Sequence, residues 1–234
     1  MQQVAFQDLG LKSYKEVWDY QETLLKAAVD IKIKNRELNP AEIPINTNHH
    51  LLFVEHFPVY TLGKNGNENN VLISQLEMQQ KKIDYFQINR GGDITFHGPE
   101  QLVGYPILDL DFFKPDLGWY LRSIEDVILL TMAEYGIVGG RSKGETGVWI
   151  DTETKGKERK ICAIGIKCSR WVTMHGFAFN VNTDLSYFNN IIPCGIVNKK
   201  VTSLQKELGR KVDMKEVKEK VKKNFEKIFS AQLN

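Results

Sequence analysis

Cysteine is scarce in this sequence: three residues of 234, Cys162, Cys168 and Cys194, with no C-x-x-C spacing and no His at zinc-site spacing beside them. An odd count with no secretion signal argues against a disulfide framework, and no structural metal is expected. The ordinary fate of a free cysteine is burial as a small hydrophobe, so only local context raises one above that. Long apolar runs are missing as well. No window approaches 18 consecutive apolar residues, and Met1 to Gly10 lacks the charged start and apolar stretch of a signal peptide. No membrane association is expected, and the expected location is the cytoplasm. An excess of one charge is also absent. Lys and Arg number 31 against 29 Asp and Glu, a net charge of +2, which gives no global basic footprint for nucleic acid and no acidic tail.

What is present is ordinary globular composition, 42% hydrophobic, enough for a sizeable core. No repeat, low-complexity tract or linker divides the chain, so residues 1–234 are read as a single domain, with 198–234 open as a small C-terminal lobe. Ser13 and Glu16 form a capping-box pattern before apolar residues at helical spacing, predicting a helix from Tyr14 to about Asn35. Asn39 to Asn48 reads as a loop and Leu51 to Glu55 as a buried strand. Gly63 to Asn70 reads as an exposed loop. Tyr85 to Asn89 and Val103 to Leu108 follow as strands, the latter an edge or bulge because of Pro106. Asp116 caps a predicted helix ending before Gly136. Strands are expected at Gly147 to Ile150, Lys160 to Cys168 and Phe177 to Val181, with Asp151 to Arg159 as a hairpin loop. Asp213 to Phe229 is a final amphipathic helix whose lysines form a solvated face. Irregular interleaving with hairpin-like pairs predicts an α+β fold with a mixed, largely antiparallel sheet flanked by helices.

Four stretches carry more than packing. Arg90-Gly91-Gly92-Asp93-Ile94-Thr95-Phe96-His97 has two adjacent glycines that permit close backbone approach, beside polar side chains. It is neither a dinucleotide fingerprint nor a phosphate loop, and His97 with Glu100 lacks a second His for a metal. Lys160 opens an apolar strand containing Ala163, Ile164 and Gly165, and an amine turned inward there loses hydration, which is how lysines become bases. His175-Gly176-Phe177-Ala178 alternates small and large residues, as the wall of an apolar slot would. Pro193 and Gly195 place Cys194 at a forced turn, suited to a nucleophile that meets a carbonyl, whereas Cys162 and Cys168 lie inside strand-like runs.

In order and spacing, these stretches resemble the octanoyl (lipoyl) transferase family, of lipoate-protein ligase B type, from Leu51 to about Leu204. Glu55 to Gly63, Gly147-Val-Trp149 and Ile192-Pro-Cys-Gly195 add to the likeness. The resemblance implies a fold like the biotin and lipoate protein ligases. It implies Cys194 as the acyl-accepting nucleophile and Lys160 as the residue that tunes it. Arg90, Gly91, Gly92, Asp93, Ile94, Thr95, Phe96, His97, Ala163, Ile164, Gly165, Gly176, Phe177 and Ala178 would line the acyl pocket. The implied donor is an acyl-carrier protein, and the implied acceptors are lipoyl domains of 2-oxoacid dehydrogenase complexes and the glycine cleavage H protein. No cofactor is implied. Two departures stand out: Glu100 where the family usually has Gly, and Phe96 where Tyr is common.

Lys160 could act as a charged neighbour that lowers the thiol pKa or as a neutral base. Backbone amides near the glycines, with His97, are candidates to stabilise the oxyanion. Two rivals remain open, an ATP-dependent ligase of the same fold and a non-catalytic acyl-carrier-binding module. A cysteine hydrolase is disfavoured because no Asn or Asp is evidently placed to orient His97 or His175.

Overall fold

A computed structural model describes residues 1–192 and 200–234. In chain order the strands are β1 (Gln2–Lys12), β2 (His50–His56), β3 (Val59–Leu62), β4 (Asp84–Gln87), β5 (Ile94–His97), β6 (Gln101–Ile107), β7 (Val148–Ile150), β8 (Arg159–Ser169), β9 (Val172–Asn180), β10 (Lys200–Val201) and β11 (Ala231–Leu233). The helices are α1 (Tyr14–Arg36), α2 (Gln75–Gln80), α3 (Leu117–Ala133), α4 (Leu204–Leu208) and α5 (Met214–Phe229). A large sheet runs β10-β8-β9-β6-β2-β1-β11, with β7 also on β8, and a small sheet runs β4-β3-β5. The centre of the large sheet, β2-β6-β9-β8, is antiparallel, while β1 with β2, β1 with β11, and β10 with β8 are parallel. This is the expected α+β architecture with a mixed sheet.

Both faces of the large sheet are covered. Tyr14, Val17, Gln21, Leu25 and Ala28 of α1 recur every three or four residues and are buried, so one helix stripe lies on the sheet. Val17, Leu25 and Ala28 share a core with Val103, Tyr105 and Ala178. On the other side, Ile124, Val127 and Ile128 of α3 meet Val217, Val221 and Phe225 of α5 over Leu51, Phe53 and Phe179. Val217, Val221 and Phe225 of α5 share this core with Val4 of β1.

Several boundaries differ from expectation for local physical reasons. Ser13 accepts from the Glu16 N–H at 3.4 Å, but the Glu16 carboxylate turns to the Lys12 ammonium at 3.0 Å, so only half of the capping box forms. Pro106 is not on an edge strand: β6 lies between β2 and β9. The β6–β9 ladder lapses after Gly104 opposite Phe177 and resumes with Asp109 opposite Val172 in the same register, so the missing N–H of Pro106 falls in the gap. β9 begins five residues before the predicted strand because Thr173 and His175, polar in sequence, are buried with partners. The sequence reading missed β1, β11 and α2, although Ser74 and Glu77 form a complete capping box at the start of α2. Only Val4 of β1 is buried, which leaves no alternation to read.

Glu125 of α3 is fully buried and serves as a joint. Its carboxylate accepts from Arg122 at 2.5 Å, from Arg141 at 2.7 Å and from the Gly147 N–H at 3.0 Å. Gly147 has φ +118°, and a Cβ there would lie 2.6 Å from the Cys162 carbonyl oxygen, so only glycine brings β7 this close to β8. Replacing Glu125 by Leu leaves the Gly147 amide without its acceptor and takes a carboxylate from Arg122 and Arg141, of which Arg141 keeps Asp126. The expected cost is on the order of 2 kcal/mol, since hydrogen bonds to charged groups contribute about 1.5–3 kcal/mol each and the arginines are half-exposed. Urea unfolding checks this; an unchanged midpoint would show that Glu125 is not a structural joint.

Candidate active site

A cavity of about 400 Å³ opens where the small sheet meets β6, β8 and β9. Its wall includes Arg90, Gly91, Gly92, Asp93, Ile94, Thr95, His97, Lys160, Ala163, Ile164, Gly165, Gly176, Phe177 and Ala178. Three stretches far apart in sequence are thus brought to one space. Among the described residues that the sequence singled out, one is not in this wall. The Phe96 ring stacks on Tyr187 with centroids 4.5 Å apart and belongs to the core of the small sheet. Its ring is packed in that core and not in the wall, so the loss of a hydroxyl at this position leaves the wall unchanged. Cys194 lies outside the described residues.

Close backbone approach builds the cradle. The Gly91 N–H donates to the Ile166 carbonyl at 2.9 Å, pinning the glycine loop to β8. A Cβ on Gly165 would stand 2.9 Å from the Gly91 carbonyl oxygen and 3.0 Å from the Arg90 side chain. On Gly176 it would stand 2.2 Å from the Gly104 carbonyl oxygen. Asp93 is used structurally: its carboxylate accepts from the Ile94 N–H at 2.7 Å, the Asn67 N–H at 3.2 Å and the Asn70 side-chain amide at 2.5 Å.

A chain of hydrogen bonds ties these pieces together. Arg90 donates to the Thr61 carbonyl at 2.7 Å, the Thr61 hydroxyl at 3.0 Å and the Gly91 carbonyl at 3.0 Å. The Thr61 hydroxyl is 3.5 Å from His97 Nε2, a long contact. Gln101 donates its amide to the Phe96 carbonyl at 3.1 Å and to Asn180 Oδ1 at 2.9 Å, which leaves its oxygen to accept from His97 Nδ1–H at 2.8 Å. Asn180 donates to the Thr202 carbonyl at 2.9 Å, and the Thr202 N–H donates to the Lys160 carbonyl at 2.9 Å.

Lys160 lies partly buried on β8 with its ammonium nitrogen 4.5 Å from the centre of the Trp149 ring. The chain enters 193–199 at Ile192, whose N–H donates to the Asn70 carbonyl, and leaves at Lys200, paired with Arg159 next to Lys160. Of the described cysteines, Cys162 is wholly buried, and burial pushes its thiol far up. Cys168 is half-buried and its thiol is also raised by burial. Neither sits in the cavity wall.

The histidines are neutral and oriented, contrary to two sequence expectations. His97 spends Nδ1–H on Gln101 and is held well below the usual imidazole range by burial, then by His56, so it is not an oxyanion donor. Asn89 does orient His175: its Oδ1 accepts from Nε2–H at 3.0 Å while its amide donates to Glu22 at 3.0 Å. Burial pushes His175 down to about 3, which makes it a poor base near neutral pH. Sequence reading missed Tyr14, Val103, Tyr105 and Asn180 in the wall. Tyr14 and Tyr105 carry no motif, but Asn180 closes a quoted stretch. Glu100 resolves simply: its φ is +59°, the region natural to glycine, and its carboxylate pairs with Lys211 at 2.6 Å outside the cavity wall. Among the described residues no cluster could hold a metal ion, and no helix is long and apolar enough to cross a membrane.

These histidines give the fold a pH dependence of definite sign. Burial also lowers His56, to about 4, with Nδ1–H on the Lys12 carbonyl and Nε2 accepting from the Tyr105 hydroxyl at 2.8 Å. Unfolded histidines bind a proton near pH 6.5, whereas His56 and His175 resist until about 4 and 3. Their contribution is therefore full above pH 6.5 and is lost as pH falls from 6.5 toward those values. Urea midpoints should decline between about pH 6.5 and 5, before most carboxylates titrate. A flat profile there would contradict the neutral assignment.

Comparison with known proteins agrees with this architecture. The family described as lipoyl protein ligase A/B catalytic domain matches residues 13–226. A protein of Christiangramia forsetii named octanoyltransferase is 57% identical over 232 residues, 99% of this chain and 97% of that one. A Flavobacterium johnsoniae protein of the same name is 54% identical, covering 98% of each chain. Among solved structures, a bi-partite lipoate protein ligase from Thermoplasma acidophilum superposes with a TM-score of 0.69 at 14% identity, over 100% of this chain and 86% of that one. A biotin protein ligase from Aquifex aeolicus in complex with biotin and ATP gives 0.54 at 16% identity, over 97% and 70%. At such identities these structures establish the shared fold alone. The chain belongs to the lipoyl protein ligase A/B catalytic domain family, on its octanoyl (lipoyl) transferase side, and is an acyltransferase.

Proposed function

We propose that the protein transfers an octanoyl (or lipoyl) group from acyl-carrier protein, through a thioester on Cys194, to a lysine of lipoyl domains. The acceptors are those of 2-oxoacid dehydrogenase complexes and the glycine cleavage H protein, and the reaction is the first step of endogenous protein lipoylation in the cytoplasm. The observation that carries this reading is the convergence of Arg90–His97, Ala163–Gly165 and Gly176–Ala178, with Lys160, on one largely apolar cavity. The names of the relatives at 57% and 54% identity point the same way.

In the first half-reaction the Cys194 thiolate attacks the donor thioester carbonyl, the new C–S bond forms, and the carrier's thiol leaves with the proton. One thioester replaces another, so no ATP is required. In the second, the acceptor amine attacks the acyl-enzyme; a C–N bond forms, the C–S bond to Cys194 breaks, and the amine's proton ends on the departing Cys194 sulfur. Lys160 raises the thiolate fraction of Cys194, which would otherwise be a few per cent at pH 7 for a thiol of pKa about 8.5. It does so as a charged neighbour or as a neutral base. The raised thiols of Cys162 and Cys168 support assigning the nucleophile to the remaining cysteine. Small residues at 163, 165, 176 and 178 leave room for an alkyl chain along β8 and β9.

Two experiments test this. Octanoyl-carrier protein without ATP should acylate the protein, seen as an intact-mass adduct that Cys194→Ala abolishes and Cys162→Ala keeps. An adduct on Cys194→Ala would sink the mechanism, and strict dependence on ATP would favour a ligase. Lys160→Met keeps side-chain bulk and should shift the pH profile of iodoacetamide labelling at Cys194 upward; superimposable profiles would remove Lys160 as activator. The slot itself is tested by Ala178→Leu, whose longer side chain fills the cavity beside Ala163. The variant should favour hexanoyl over octanoyl donors by about tenfold, the cost of roughly one to two methylenes. An unchanged chain-length profile would place the slot elsewhere.

A further inference from the structure

Two very short strands flank Lys160. β7 has three residues and β10 two, and each pairs with β8 at Lys160, through Trp149 on one side and Val201 on the other. Ladders this short supply few hydrogen bonds, and small strand pairs are marginal in water. The side chain next to Lys160 reinforces both of them. Arg159 Nε and Nη2 donate to the two carboxylate oxygens of Glu207 on α4, at 2.7 Å and 2.6 Å, a forked contact suited to a planar guanidinium. Its Nη1 donates to the carboxylate of Asp151, the residue that follows β7. Glu207 Oε1 also accepts from the Thr202 hydroxyl at 2.5 Å, and the Thr202 N–H donates to the Lys160 carbonyl at 2.9 Å. Thr202 follows β10 and is fully buried. One guanidinium thus ties the end of β7 to the end of β10 across β8, with the Lys160 backbone between them.

The clasp acts from outside the cavity. Lys160 and Val201 belong to the wall, whereas Arg159, Asp151 and Glu207 do not. The Arg159 and Glu207 side chains are 24% and 14% exposed, so water screens the pair only in part. The guanidinium also holds the Glu207 carboxyl below the usual carboxylate range, which keeps the fork charged at neutral pH and above. The Lys160 ammonium sits over Trp149 of β7, so its place depends on how β7 and β8 are held together. Loosening the fork lets both short strands shift, and a misplacement of about 1 Å costs up to about a hundredfold in rate.

We propose that Arg159, gripped by Glu207, is a positioning residue that holds Lys160 in the geometry in which it serves the thiol. This rests on the reading above in which Lys160 raises the thiolate fraction of Cys194. The test is the pH profile of iodoacetamide labelling at Cys194 in the parent, Arg159→Lys, Glu207→Gln, Lys160→Met and the Arg159→Lys/Lys160→Met double variant. kcat and KM for octanoyl-carrier protein are measured alongside. Arg159→Lys keeps the charge but loses the fork, so an influence of charge alone would survive it. The profile should move upward in Arg159→Lys and Glu207→Gln, in the direction that Lys160→Met moves it. kcat should fall about tenfold while KM stays within about twofold, because the acyl wall is untouched. In the Lys160→Met background Arg159→Lys should add nothing further, since the two residues act as one unit. A parent-like profile in folded Arg159→Lys overturns the positioning role, and so does a second full shift in the double variant. Should Arg159→Lys not fold, a parent-like profile in Glu207→Gln overturns it equally. If Lys160→Met itself labels like the parent, the role of Lys160 falls and this proposal with it, a failure distinct from a shift confined to Lys160→Met.

Discussion

The cavity depends on a single chain of polar contacts through its wall, from Arg90 by way of Thr61, His97, Gln101 and Asn180 to Thr202 and the Lys160 carbonyl. Every link joins a different strand or loop: Thr61 is in β3, His97 in β5, Gln101 in β6 and Asn180 in β9. Together with the Gly91 N–H on the Ile166 carbonyl and Asn89 on His175, it fixes the small sheet against the large one in a way that apolar contact alone would not. Gln101 is its hinge, because one amide satisfies an imidazole, a carbonyl and a second amide. In a buried setting each of those groups left alone would cost more than its bond contributes when made. The result is a wall whose polar atoms are mostly consumed internally, so the space it encloses remains fit for an alkyl chain.

That economy explains how much was legible in advance. The Gly91-Gly92 pair, Gly165 and Gly176 announce close approach, because a Cβ at Gly165 or Gly176 would meet backbone oxygens within 3 Å. α1, α3 and α5 were readable because their buried residues keep helical spacing and Ser13, Asp116 and Asp213 cap them. What sequence could not reveal was partnership at a distance. Gln101 and Asn180 look like ordinary polar residues in strands, and nothing local says that they meet across β6 and β9. Asn89 stands 86 positions from the His175 that it orients. Pro106 misled for the complementary reason: the rule against proline in central strands concerns a donor, and the partner strand had already lapsed at that point.

Glu100 shows how a departure from a family pattern can be absorbed. Its backbone keeps the φ that glycine would supply, and its N–H and carbonyl are both bonded, to Glu55 at 2.8 Å and to Asn182 at 3.0 Å. The side chain then needs only an outlet, which Lys211 provides at the surface. The charge that seemed to threaten the site is spent away from it, and the loop geometry that glycine would have given is retained by the bonds on either side.

The electrostatics of the wall bear on which group can manage a proton. His56, His97 and His175 are all driven down by burial, and each has a fixed tautomer, so none carries charge near neutral pH. Arg90 is permanently charged but its guanidinium is committed to Thr61 and Gly91, close to the glycine cradle. On the proposed reading, Lys160 is the residue of the wall that serves the thiol. It stands beside Trp149 and next to the strand by which the chain returns from 193–199. On that reading the histidines hold the shape of the wall, and Lys160 is left to the chemistry.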